Sequence, residues 1–167
     1  FETTLQLASR LADPDLVAKA KTFPYQILTT MQNLDPKAPG ALSDALDQAM
    51  EIATANVPAL PGRTVLAVDV SGSMHAPVTG YRKGSTSKTT CLDAAATLAA
   101  AVLRRNPDAT VIPFHDSTVD VTLDAREPIT RLAERLRKLP SGGTNCSAAL
   151  VELERERAEA DTVIYFS

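Results

Sequence analysis

The chain has 167 residues, of which 44% are apolar and 22% charged, with a formal net charge of −3. Such a mixture belongs to a soluble globular protein, and the length allows one ordinary domain or a domain with a helical appendage. No apolar run reaches the roughly 20 residues of a membrane span, and the negative balance excludes a global attraction to nucleic acid.

The opening segment, FETTLQLASRLADPD, lacks the charged start and apolar stretch of a secretory signal. From there to residue 58 the chain reads as helices only. DPDLVAKAKT begins with Asp13 as N-cap and Pro14 at the first helical position, where a missing N–H costs nothing. After the Phe23–Pro24 break, YQILTTMQNL places Ile27, Leu28, Met31 and Leu34 on one helical face. GALSDALDQAMEIATA does the same with Leu42, Leu46, Ala49, Met50 and Ala53. NVPALPGR, residues 56–63, breaks the pattern with two prolines and a glycine and reads as a linker. The domain boundary is therefore placed between residues 58 and 59.

From Arg63 the period changes. TVLAVDV is a continuous apolar run rich in β-branched residues, which predicts a strand buried on both faces. TTCLDAAATLAAAVLRRN, residues 89–106, predicts a helix with so little polar surface that it must pack on a sheet. ATVIPFH and STVDVTL predict a hairpin turning at His115–Asp116, with Pro113 marking an irregular position. EPITRLAERLRKL and CSAALVELERERAEA read as helices and DTVIYFS as a last strand. The expected fold is α/β, an open and mostly parallel sheet with helices on both faces. Right-handed crossovers place the first strand centrally, with the hairpin on one side and TVIYFS on the other. A ligand should sit at the carboxyl ends of those strands.

AVDVSGSMH lies at that position. Asp69, Ser71 and Ser73 are spaced by two, so an extended chain aims three oxygens at one volume, and Gly72 is expected to permit the turn that keeps them convergent. An all-oxygen donor set favours Mg2+ or Mn2+ over zinc. Three such groups do not fill an octahedron, and Thr144, presented by Gly142–Gly143 just before a helix, is the natural further donor. Other chemistries lack their signatures. GSTSKTT contains no Gly-Lys pair for a phosphate-binding loop, and no G-x-S-x-G elbow supports a hydrolytic serine with His75, His115 or Asp116. Cys91 and Cys146 have no metal-ligand spacing and read as reduced thiols.

DVSGSM followed by SGGTNC resembles the metal-ion-dependent adhesion site (MIDAS) of a von Willebrand factor A domain. The resemblance implies that Asp69, Ser71, Ser73 and Thr144 are metal ligands. It also implies a further aspartate after the fourth strand, and the sequence ends at Ser167, before that residue. TVIYFS would then be an apolar sheet edge without a partner, and the chain is expected to be a fragment of a longer polypeptide. Cations held mainly by neutral hydroxyls stay attractive to an outside anion, such as an acidic side chain of a partner. No base stands ready to activate water, so the reading is not that of an enzyme.

The helical lead-in narrows the family. AKAKTFPYQILTTMQNL, then LSDALDQAMEIATANVPALPGRTVLAVDVSGSM, is similar to the Ro (TROVE-domain) family of RNA-binding proteins. There, a ring of HEAT-like helical repeats is closed by a von Willebrand domain, so residues 1–58 would end the ring and residues 59–167 begin the metal-binding domain. Asn145 departs from the acid that follows the threonine in some members. Membership implies a cytoplasmic protein that binds Y RNA and misfolded small noncoding RNAs in RNA quality control, with an exoribonuclease as a further partner. Arg82, Lys83 and Lys88, on an acid-free stretch after the metal turn, are the phosphate-contact candidates. The alternative is a von Willebrand module that binds protein alone.

Overall fold

The computed structural model describes residues 3–84 and 86–167. The chain divides into two compact units, one ending at Pro58 and one running from Ala59 to Ser167.

The first unit is helical. Helix α1 (Thr4–Leu11) starts at a capping box, in which Gln6 N–H donates to Thr3 Oγ1 and Thr3 N–H to Gln6 Oε1. Helix α2 (Pro14–Ala20) starts as expected, with Asp13 Oδ1 accepting the N–H groups of Asp15 and Leu16. Lys21, at φ 51°, stops it in the left-handed region. Helices α3 (Pro24–Gln32) and α4 (Gly40–Ala53) follow, and α1, α2 and α3 all pack on α4. The predicted stripe of α4 is the core of this unit: Leu46, Ala49, Met50 and Ala53 are buried, together with Ile27 and Leu28 of α3.

The second unit is α/β. Strand β1 (Thr64–Asp69) is buried along its whole length and lies between β2 (Thr110–Phe114) and β3 (Thr162–Phe166). All three strands are parallel, with Ala67 opposite both Ile112 and Tyr165. Helix α5 (Cys91–Arg105), capped by Thr90 through Asp93, packs on β1 and β3 and against α6 (Ile129–Arg137). Helix α7 (Ala148–Arg155) covers the other face, where Ala148 and Ala149 meet Val65, Ala67, Ile112 and Phe114. The central placement of β1 is the predicted one.

The predicted hairpin is not formed. After β2 the chain turns at His115–Ser117 and makes one antiparallel bridge, Phe114 to Thr118, and Val119 N–H donates to Pro113 O at 2.8 Å. Beyond that, residues 119–124 form no strand. Pro113 has no N–H to return, so the ladder loses a bond where a second strand would begin. Among the described residues no helix is long and apolar enough to cross a membrane.

Candidate metal-binding site

Asp69 is the last residue of β1, opposite Phe114. Val65 and Ala67 face α7, so the period of two sends the Asp69 carboxylate out on that same face, toward the loop that precedes α7. The carboxylate is almost wholly buried, at 1% exposure. Oδ1 accepts the Ser71 N–H at 2.8 Å and Oδ2 accepts the Ser167 hydroxyl at 2.8 Å. Both oxygens are thereby oriented, yet among the described residues Asp69 forms no ion pair. An ionised carboxylate taken out of water without a counter-charge is costly. A cation placed there would offset that cost.

Ser71 is fully buried and opens the short 3-10 turn Gly72–His75, which brings Ser73 back so that the two hydroxyl oxygens lie 3.1 Å apart. Gly72 does not act as expected. It has no left-handed φ, and a Cβ there would meet Gly142 O at 3.5 Å, an ordinary contact. The convergence comes from the 3-10 turn itself. The Gly72 N–H matters more, because it donates to Gly142 O at 3.0 Å and ties the two candidate loops together.

The second loop is held from its other side by the His115–Asp116 turn. Asp116 Oδ2 accepts the Gly143 N–H at 2.7 Å, and His115 O accepts the Asn145 N–H, also at 2.7 Å. Gly142 and Gly143 leave room for Asp116 in this position: a Cβ on Gly142 would sit 2.5 Å from Asp116 Oδ2, and one on Gly143 closer still to Oδ1, so either would push the carboxylate aside. Asn145 completes the latch. Its Nδ2 donates to Asp116 O, and its Oδ1 accepts from Ser147 N–H and Oγ at the start of α7.

The structure thus joins Asp69, Ser71 and Ser73 by hydrogen bonds and brings the Thr144 loop against their turn. Thr144 itself is exposed, and among the described residues its hydroxyl makes no hydrogen bond to the other three. A carboxylate with three hydroxyls suits a hard divalent cation, and among the described residues no cluster of three His, Cys, Asp or Glu offers a softer or more acidic site. Arg82, Lys83 and Lys88 are exposed on the loop that follows the turn. Two contributors escape a reading of local sequence. Ser167 reaches Asp69 only through the pairing of β3 with β1, and Asp116 reaches Gly143 only through the turn after β2.

Residues 63–167 match the family described as the Ro60 vWA domain. Over 99% of its length the chain is 26% identical to the RNA-binding protein RO60 of Deinococcus radiodurans, covering 32% of that protein. The fold is similar to the crystal structure of the Deinococcus radiodurans RO (RSR) protein, with a TM-score of 0.73 at 25% identity over 95% of this chain and 33% of that one. The chain spans about a third of the length of the relatives it matches.

Proposed function

The chain belongs to the family of Ro60 von Willebrand factor A domains, and from that premise we propose that it is part of a non-enzymatic RNA-binding protein of the Ro type. Its α/β unit holds a divalent cation, Mg2+ or Mn2+, on Asp69, Ser71, Ser73 and Thr144, and offers it to an anion. The helical unit, residues 1–58, is the end of a HEAT-like TROVE ring. The RNAs are Y RNA and misfolded small noncoding RNAs, handled in cytoplasmic quality control with an exoribonuclease as partner. The name of the Deinococcus relative, RNA-binding protein RO60, supports the RNA part of this reading.

One observation carries the metal part. The Asp69 carboxylate is buried with both oxygens pinned and no cationic partner among the described residues, beside a loop bonded to its own turn by Gly72 N–H. When bound, the cation would supply a Lewis-acidic position open to an outside oxygen anion, such as an acidic side chain. The protein's own groups do the rest. Ser71 N–H and Ser167 Oγ–H fix the carboxylate, and the Asp116 latch holds the threonine loop in place.

Filter binding of the full-length protein to structured small RNA at several salt concentrations tests the RNA reading. Binding that weakens steeply as salt rises is expected, because phosphate contacts release counterions. Absence of binding at low salt would overturn it in favour of a module for protein partners alone.

A further inference from the structure

The sequence holds two stretches rich in cations, and the structure treats them differently. In the α6 segment four of the five cations are consumed internally, and only Arg131 forms no ion pair among the described residues: Arg126 pairs with Asp124, Arg135 with Glu127, Arg137 with Asp93 and Lys138 with Glu134. In the loop after the metal turn they are not. Residues 75–90 contain no acid, and among the described residues neither Arg82 nor Lys83 forms an ion pair.

This loop is built to present its tip. Its base is braced by Cys91 N–H to Ala76 O at 2.9 Å, by the Pro77–Thr90 bridge and by Val78 N–H to Thr89 O at 3.0 Å. Ser87 N–H donates to Thr79 Oγ1 higher up. Gly80 at φ 64° and Gly84 at φ 78° reverse the chain on either side of Tyr81-Arg82-Lys83, in the left-handed region that other residues avoid. The Thr86 hydroxyl closes the tip, accepting the Arg82 N–H at 3.1 Å and donating to Arg82 O at 2.7 Å. The side chains of Tyr81, Arg82 and Lys83 are all exposed at that tip. Tyr81 is 84% exposed, the most exposed large apolar side chain among the described residues.

An aromatic ring in water does nothing for the core. Beside two uncommitted cations it is the pair of features that recognises an unpaired nucleotide: a face for the base and charge for the phosphates. We propose that Tyr81, Arg82 and Lys83 form a contact site for single-stranded RNA, with Tyr81 stacking on a base and the two cations on flanking phosphates. The proposal rests on the RNA-binding reading above and adds the loop and the residues that would make the contact. An acidic peptide would satisfy the cations but not require the ring, which favours RNA.

The experiment compares full-length variants for binding a labelled single-stranded RNA and a duplex of the same sequence. Tyr81→Ala should weaken single-strand binding by about 5- to 100-fold, and Tyr81→Phe should stay within about twofold of the parent, because stacking needs the ring and not the hydroxyl. Duplex binding should not change. Arg82→Ala with Lys83→Ala should flatten the slope of log affinity against log salt by about 1.4, roughly 0.7 for each phosphate that is no longer neutralised on a single strand. Single-strand binding by Tyr81→Ala equal to the parent overturns the proposal while leaving RNA binding elsewhere intact. So does an equal loss for Phe and Ala, or an equal loss on the duplex. A parent that binds neither RNA overturns both this site and the broader reading.

Discussion

At the start of β1, Arg63 donates its backbone N–H to Asp161 Oδ2 at 2.7 Å and its guanidinium to Asp161 and Glu159. At the end of the same strand, Asp69 is buried, bonded only to an N–H and a hydroxyl, and meets no cation among the described residues. The first carboxylate lies in solvent with its charge answered, where an ion pair contributes little. The second lies in the core with its charge unanswered, where a carboxylate is expensive. An acid that the fold orients but does not neutralise is the one on which the proposed cation rests.

Substitutions sharpen that contrast. Asp69→Ala leaves the buried Ser71 N–H without an acceptor, whereas Asp69→Asn keeps one. The alanine variant should therefore be about 1–3 kcal/mol less stable than the asparagine variant in urea unfolding without divalent metal. Equal stabilities would mean that the hydrogen bonds to this side chain hold nothing together.

A smaller effect is expected at the latch. Asp116 is largely exposed, and Asp116→Ala removes the acceptor of Gly143 N–H outside the core. Magnesium affinity, measured by calorimetry, should fall about tenfold because the ligand loop is less firmly supported, with global stability changed by no more than about 1 kcal/mol. Unchanged affinity would show that the Thr144 loop needs no support from the turn after β2.

The smallest effect belongs to the paired end. The Asp161 carboxyl is held below its ordinary range, first by the Arg63 backbone N–H and then by the guanidinium. A carboxyl depressed in the fold contributes above its unfolded value of about 4 and loses that contribution as pH falls through the folded value. Asp161→Asn should therefore lower the melting temperature slightly at neutral pH, and the gap should close on acidification below about pH 4. A gap that persists at the lowest pH would assign the loss to packing and not to charge.

Much of this architecture is legible in local pattern. The apolar run of β1, the alanine-rich α5 and the Asp13–Pro14 helix start follow from residue type and spacing alone. The Thr3-x-x-Gln6 capping box at the start of α1 carries a local signature too, although it is not among the helix starts predicted above. What local pattern hides is contact between distant segments. STVDVTL alternates like a strand, yet the chain beyond Thr118 makes no ladder, because Pro113 breaks the pairing from the partner side. His115–Asp116 reads as a hairpin turn, and only its approach to Gly143 reveals the latch. Asp69-x-Ser71-x-Ser73 advertises three oxygens, but the burial that leaves the carboxylate without a counter-charge depends on β2, β3 and α7 closing around it.

The most direct test of that unanswered charge is the melting temperature of full-length Asp69→Asn beside the parent, with and without magnesium. Without metal the neutral side chain should make the variant at least as stable as the parent. With magnesium the parent should rise and the variant should not. A variant that melts lower than the parent without metal, or that still gains from magnesium, would contradict the account.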